Sequence, residues 1–389
     1  MPPVPERGFP QAEFEARLQR AQSRMREERL DAILLTAEPE VRYFTGFLTQ
    51  FWESPTRPWF VVLPLDGKPI AVIPEIGEAG MAATWLDDIR TWPAPRPADD
   101  GIGLLTGAID GLPRPFGRLG VPLGHESILR MPAADYRRLM EGLPGLEAVD
   151  AAPLLQALRY IKSPAEIEKI AYVCALTSDA FEALPSAARL GESERAICRR
   201  LRIDLLERGA DDSPYLIAGS GPGGYDSIIM GPTDRVLEAG DVLIIDTGTT
   251  FDGYFCDFDR NWAFGQADAA ARRAYEVVYA ATEAGFAAAR PGATTSDLWA
   301  AMWSVMEAGG ALGNSVGRLG HGLGMQLTEF PSNTPDDGTV LEPGAVLTLE
   351  PGMEFAPGKQ MVHEENIAIT EEGARWLSRR AAAELPVIG

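Results

Sequence analysis

The segment Asp241-Val-Leu-Ile-Ile-Asp246-Thr-Gly-Thr-Thr-Phe-Asp-Gly-Tyr-Phe-Cys-Asp257-Phe-Asp259-Arg260 carries acids where a buried strand should have none. An ionised carboxylate placed after Val-Leu-Ile-Ile is costly to bury unless something compensates its charge. Asp252-Gly253 is a strong two-residue hairpin signal. With those two residues as the turn, Asp246 falls opposite Asp259 and Asp257 opposite Gly248. Side chains alternate faces along a strand, so Asp246, Gly248, Asp257 and Asp259 share one face. Like charges directly opposite destabilise a sheet, and without a counter-charge at least one acid must hold a proton. A bound cation removes the conflict; the alternative is neutralisation by Arg260 and solvent.

Three later segments add donors. Gly320-His321-Gly-Leu-Gly-Met-Gln-Leu-Thr328-Glu329 sets one of only three histidines between glycines, which allow backbone to approach closely. Leu347-Thr-Leu-Glu350-Pro-Gly ends an apolar strand with an acid, and Met361-Val-His363-Glu364-Glu365-Asn opens another with two. Each segment says little by itself; the order of all of them says more.

In that order the segments resemble the M24 metallopeptidases, the pita-bread fold shared by methionine aminopeptidase, prolidase, aminopeptidase P and creatinase. The family's five metal ligands fall on Asp246, Asp257, His321, Glu350 and Glu364. Residues 158–170, Pro232-Thr-Asp-Arg235 and Glu350-Pro-Gly352 look like the prolidase and creatinase branch, and the resemblance runs from about residue 155 to 375. It implies two divalent metal ions (Mn, Co, Fe or Zn), which suit an oxygen-dominated set with one imidazole. It also implies a water activated by those ions to attack a polarised carbonyl, with Glu350 handling that water's proton. The substrate would be a dipeptide or small molecule cut at a C–N bond, and the protein a homodimer.

The resemblance breaks at three positions. Peptide-cleaving relatives carry further histidines that bind substrate and move protons, and here those positions are Ile229, Gly317 and Thr328. Asp259, His363, Glu329 and Tyr225 are the candidate replacements, Asp259 being best placed by hairpin register. Catalysis is therefore expected from Glu350, Asp259 and His363, and substrate contact from Trp52, Arg57, Tyr225, Thr328 and Glu329. A lyase that cleaves dimethylsulfoniopropionate uses the same fold with extra acids at positions that are Gly248 and Leu327 here. Creatinase-like or ectoine-hydrolase-like cleavage of a small amidine or amide is a further branch. Relatives that have become binding proteins usually lose ligands, whereas all five are present.

The elements that must position these residues follow from periodicity. Phe14, Leu18, Ala21 and Met25 form one helical face. Short apolar runs at 32–35, 59–65 and 70–74, a loop over 93–103 and a helix over 133–143 read as a small α/β domain. From residue 154 the chain turns Ala-, Leu-, Glu- and Arg-rich, and Ser163-Pro-Ala-Glu166 is a capping box. Helices over 269–290 and 295–308 separate β-rich segments around 241–264, 345–355 and 360–370. The Gly-rich stretch 219–224 lacks the residues of a phosphate-binding loop. The fold class expected is α+β: an N-terminal α/β creatinase-like domain over 1–153 and a pita-bread catalytic domain over 154–389.

A chain of 389 residues exceeds one compact core. Its net charge of -21 disfavours nucleic acid and anionic lipid. No apolar run approaches the roughly 20 residues of a membrane span, and MPPVPERGFP has no apolar signal region. A cytoplasmic protein with no nucleic-acid or membrane partner is expected. Cys174, Cys198 and Cys256 read as buried thiols.

Overall fold

Phe14, Leu18, Ala21 and Met25 are the buried stripe of helix α1 (Gln11–Glu28), which ends where Arg29 turns left-handed at φ 58. In the computed structural model, which describes residues 2–314 and 317–389, contacts divide the chain into two units, Glu6–Arg159 and, in the main, Tyr160–Gly389. The first unit holds strand β1 (Ala32–Leu35), helix α2 (Glu38–Thr45), strands β2 (Phe60–Pro64) and β3 (Ile70–Pro74), helix α3 (Glu78–Ala82), strand β4 (Asp88–Trp92), helix α4 (Ile102–Asp110), strand β5 (Arg118–Val121), helix α5 (Ala133–Glu141) and strand β6 (Glu147–Asp150). The six strands form one mixed sheet in the order β4-β3-β2-β1-β5-β6. β1, β2 and β3 are buried at every position, which is why they read as unbroken apolar runs rather than alternating ones.

Helix α6 (Ala152–Tyr160) follows. The expected boundary after residue 153 falls in its first turn, whereas the division lies after Arg159. Bonds to the rest of the first unit hold the helix: the Tyr43 hydroxyl donates to the Leu158 carbonyl at 3.0 Å, Gln156 Nε2 donates to the His125 carbonyl at 2.9 Å, and Arg159 pairs with Glu40 at 2.6 Å.

The second unit begins with α7 (Pro164–Ala187), whose capping box forms as the sequence predicts. Ser163 Oγ accepts from the Glu166 N–H, and Glu166 accepts from the Ser163 N–H at 2.8 Å. Then come α8 (Glu194–Arg208), β7 (Asp212–Pro222), β8 (Asp241–Phe251), β9 (Tyr254–Phe255), β10 (Phe258–Phe264), α9 (Ala269–Ala288) and α10 (Thr295–Ala308). The chain finishes with β11 (His321–Gly322), β12 (Glu329–Ser332), β13 (Val346–Leu349), β14 (Gly352–Ala356), β15 (Lys359–Val362), β16 (Glu365–Thr370), β17 (Gly373–Trp376) and β18 (Val387–Ile388). One sheet runs β18-β10-β8-β7 with β9 on β8, a second β12-β11-β13-β16-β17, and β14 pairs with β15. Every pairing here is antiparallel except β10 with β18.

Strand β7 includes the first part of the Gly-rich stretch. A Cβ on Gly219 would stand 2.4 Å from the Ser227 carbonyl oxygen, and one on Gly221 would stand 2.5 Å from that of Gly224. Those glycines serve close backbone approach. Among the described residues no helix is long and apolar enough to cross a membrane, and all three cysteines are buried.

Candidate metal centre

β8 is buried along its whole length and carries Asp246 at its middle. Asp252 and Gly253 form the turn after it, both left-handed at φ 47 and 75, as a two-residue hairpin requires. The Lys169 ammonium, reaching from α7, pairs with the Asp252 carboxylate at 2.6 Å and pins the turn. The resulting register sets Asp259 of β10 directly across from Asp246. Asp257 lies in the gap between β9 and β10, where the Asn366 side chain holds it. Asn366 Oδ1 accepts from the Asp257 N–H at 3.0 Å, and Asn366 Nδ2 donates to the Asp257 carbonyl.

The other donors arrive from the second sheet. The His321 N–H donates to Thr348 Oγ1 at 3.1 Å, and its ring Nδ1 lies 2.9 Å from the Gly322 carbonyl. A carbonyl only accepts, so Nδ1 carries a proton, and Nε2 is the ring atom that meets the acids, 3.4 Å from Asp257 Oδ2. Gly320, at φ 123, precedes it; a Cβ there would meet the Thr348 carbonyl oxygen at 2.2 Å. Glu350 ends β13, its N–H donating to the Leu319 carbonyl at 3.1 Å, and Glu364 lies between β15 and β16.

Donor atoms of Asp257, His321 and Glu364 come within 4.8 Å of one another, and all three residues are buried. Asp246 Oδ1, Asp257 Oδ1, Asp259 Oδ2 and Glu364 Oε1 are buried without a hydrogen-bond partner. Unsatisfied oxygens on ionised groups are among the costliest atoms to bury, and the electrostatics reflect it. Burial, then the charge of Asp257, holds Asp246 well above the usual carboxylate range. Burial, then Glu350, does the same to Asp257, and burial, then Asp257, to Glu364. Burial pushes Glu350 up to about 7, with His321 and Arg318 opposing and Asp246 adding to the rise. Hard oxygens plus one imidazole are the donor set of a divalent cation of the Mn, Fe, Co or Zn kind, so these residues fit the metal ions that the resemblance implies.

Four of the other expected residues belong to different networks. His363 belongs to another network: its Nδ1 bonds Thr282 Oγ1 at 2.9 Å, its Nε2 lies 3.8 Å from Glu365 Oε1, and its ring meets Tyr275 and Tyr279 edge-on. Its neighbour Glu364 joins the centre and the next residue, Glu365, pairs with Arg260 and Arg380 instead. Adjacent residues of extended chain face opposite ways, so His363, expected as a proton donor, points to the side of Glu365 rather than that of Glu364. Glu329, expected as a substrate contact, forms a buried ion pair with Lys162 at 3.1 Å. Tyr225 is spent too: its hydroxyl donates to Asn261 Oδ1 at 2.9 Å and accepts from the Val362 N–H at 2.8 Å. Thr328 accepts from Arg318 Nη2 at 3.1 Å.

Trp52 and Arg57 lie in the first unit, in an aromatic corner of its own. Trp52 packs on Trp59 with ring centroids 6.2 Å apart, and the Arg57 guanidinium lies over Phe51. At the two positions where the lyase carries acids, Gly248 and Leu327 fill the space between them. A Cβ on Gly248 would stand 2.1 Å from Leu327 Cδ1.

Sequence reasoning missed Arg318, Thr348 and Asn366. Thr348 and Asn366 are fully buried, and a polar residue inside an apolar strand run is a signal that was there to be read. Arg318 has no such signal beyond lying close before His321; its charge opposes the upward shifts of Asp257 and Glu350.

Residues 168–371 match the description "Metallopeptidase family M24", and residues 17–161 match "Creatinase/Prolidase N-terminal domain". The probable dipeptidase PepE of Mycobacterium tuberculosis is 28% identical over 358 residues, 89% of each chain. An Xaa-Pro dipeptidase of Lactobacillus delbrueckii subsp. lactis is 26% identical over 362 residues, 92% of this chain and 95% of that one. The crystal structure of dipeptidase PepE from Mycobacterium ulcerans matches with a TM-score of 0.85 at 27% identity, covering 98% of this chain and 99% of that one. A prolidase from Thermococcus sibiricus has the same TM-score at 23% identity, covering 96% and 99%, and so bears on the fold alone.

Proposed function

Because the chain belongs to metallopeptidase family M24, the metal-dependent hydrolases, we propose that it holds two divalent cations and cleaves the C–N bond of a short peptide or small amide. The observation that carries this reading is the convergence of Asp257 and Glu364 on the His321 ring, both with partnerless buried oxygens, beside a further partnerless oxygen on Asp246, whose charge Asp257 perturbs. Asp246, Asp257, His321, Glu350 and Glu364 are the proposed ligands. Two bound divalent cations would acidify a water and polarise the scissile carbonyl. The five ligands offer up to four negative charges, matching two such cations.

Glu350 is the residue we assign to the proton. It is only partly buried, so water can reach its carboxylate, which can take a proton at one oxygen and return it. With His363, Tyr225 and Glu329 bound into other networks, Glu350 is also the group proposed to pass that proton to the leaving nitrogen. Xaa-Pro dipeptides head the list of substrates, as the names of the similar dipeptidases suggest. Manganese is the first cation to try, given the oxygen-rich ligands, and a homodimer is part of the proposal. The Gly248–Leu327 contact leaves no acid where elimination would need one.

The deciding experiment reconstitutes purified protein with Mn, Co, Fe or Zn and presents Xaa-Pro dipeptides, creatine, ectoine-like amides and dimethylsulfoniopropionate. Metal-dependent release of an amino acid or amine supports the reading. Dimethyl sulfide as product, or no stoichiometric metal in the protein, sinks it.

A further inference from the structure

Resting on that metal-dependent reading, we propose that Asp259 is a sixth donor of the centre, its carboxylate binding a divalent cation together with Asp246. The cage would then be made of five carboxylates and one imidazole.

Four observations on Asp259 carry this. It is the direct cross-strand partner of Asp246, a placement that sets Cβ atoms about 5 Å apart on one face of the sheet. Two carboxylates at that spacing can share one cation, since oxygen ligands stand about 2.0–2.6 Å from such ions. Asp259 is 1% exposed and its Oδ2 has no hydrogen-bond partner.

The other oxygen is braced. Oδ1 accepts from Asn261 Nδ2 at 3.3 Å, and the same Nδ2 donates to the Val362 carbonyl at 2.8 Å. The Tyr225 hydroxyl in turn fixes Asn261 Oδ1. This brace holds the carboxylate while leaving Oδ2 for something else.

Arg260 does not supply that something. Its Nη1 donates to the main-chain carbonyl of Asp259 at 2.6 Å, and its Nη2 turns to Glu365 at 3.2 Å. The guanidinium is thus committed to the carboxylate of a different network. The oxygens of Asp246, Asp257 and Glu364 that lack partners are those of the proposed ligands, and Asp259 shares that feature with them, unlike Glu365. With five carboxylates against two divalent cations, the loaded centre keeps one surplus negative charge.

The test is titration of the metal-free full-length protein with Mn²⁺ and Co²⁺, for the wild type, Asp259→Asn, Asp259→Thr and Asp257→Asn. Heat and the visible spectrum of bound Co²⁺ are the readouts. The wild type should take up two equivalents. Both Asp259 variants should bind one of them at least about tenfold more weakly, since even groups that only orient ligands cost that much, and the Co²⁺ spectrum should change. Metal-free Asp259→Asn should melt no lower than the wild type, because it removes a buried acid crowded against Asp246 whose Oδ2 lacks a partner; a purely structural Asp259 would give a lower melting temperature. Asp259→Thr, small and uncharged, serves where the Asn variant misfolds. Wild-type affinity and spectrum in both Asp259 variants, with binding lost in Asp257→Asn, overturn this inference and leave the metal centre standing. Failure of the wild type to bind metal overturns both.

Discussion

His321 Nε2 lies 3.4 Å from Asp257 Oδ2, while the other ring nitrogen is committed to the Gly322 carbonyl. A lone pair and a carboxylate oxygen face each other there, so something positive must stand between them, either a proton or a metal ion. That contact makes Asp257 the most direct handle on the centre.

Asp257→Asn keeps the size of the side chain and removes its charge. Metal content should fall below stoichiometric, and turnover should drop by more than about 10²-fold, beyond what loss of a supporting group costs. Elemental analysis beside a rate assay checks it, and full metal content in the variant would refute the ligand assignment.

The pH dependence has a definite sign. Asp246, Asp257, Glu350 and Glu364 all have folded pKa values above their unfolded ones, so the metal-free folded state keeps protons that the unfolded chain has released. Stability of the metal-free protein should therefore decline as pH rises. His363 acts in the opposite sense below about 6.5, where burial keeps it neutral while the unfolded chain takes up a proton. The clean window starts above that value. Melting temperatures of chelator-treated protein from about pH 6.5 to 8.5 should fall, and the gain on adding Mn²⁺ should grow, because cation and proton compete for the same oxygens.

His363→Leu separates a structural from a catalytic histidine. The Thr282 hydroxyl keeps its bond to the Val278 carbonyl at 3.0 Å, so the loss should be limited to about 1–3 kcal/mol of stability. Metal uptake should be unchanged, and the rate should hold within a few-fold. A lost proton donor would instead cost about 10²–10⁴ in rate.

Gly248→Ala should destabilise by about 1–3 kcal/mol, the usual result of overfilling a packed site, because the new methyl runs into Leu327 Cδ1. Adding Leu327→Ala should recover most of that loss in urea unfolding. No recovery would place the clash elsewhere, and the Tyr215 Cβ, 3.2 Å from the added methyl, is the next candidate.

What the sequence let one read tracks how local the determinant is. The Asp246–Asp259 register was legible because one dipeptide, Asp252-Gly253, encodes the turn, and alternation does the rest. The facing of His363 was not, because residues 363 and 364 lie between β15 and β16 and no strand pattern covers them. Glu329 looked available because its partner Lys162 comes from a distant part of the chain, and Tyr225 because Asn261 and Val362 do. Strand β7 was hidden by its glycines, which serve a neighbouring loop rather than a pattern of their own.

The hold of Asn366 on Asp257 bears on the order in which the proposed metal site is assembled. That side-chain amide supplies both hydrogen bonds a neighbouring strand would give, from a position 109 residues further along the chain and two residues after Glu364. A hairpin that forms before residues 364–366 are in place therefore has acids without their clamp or their last companion, and the proposed metal site closes only when that later segment joins it.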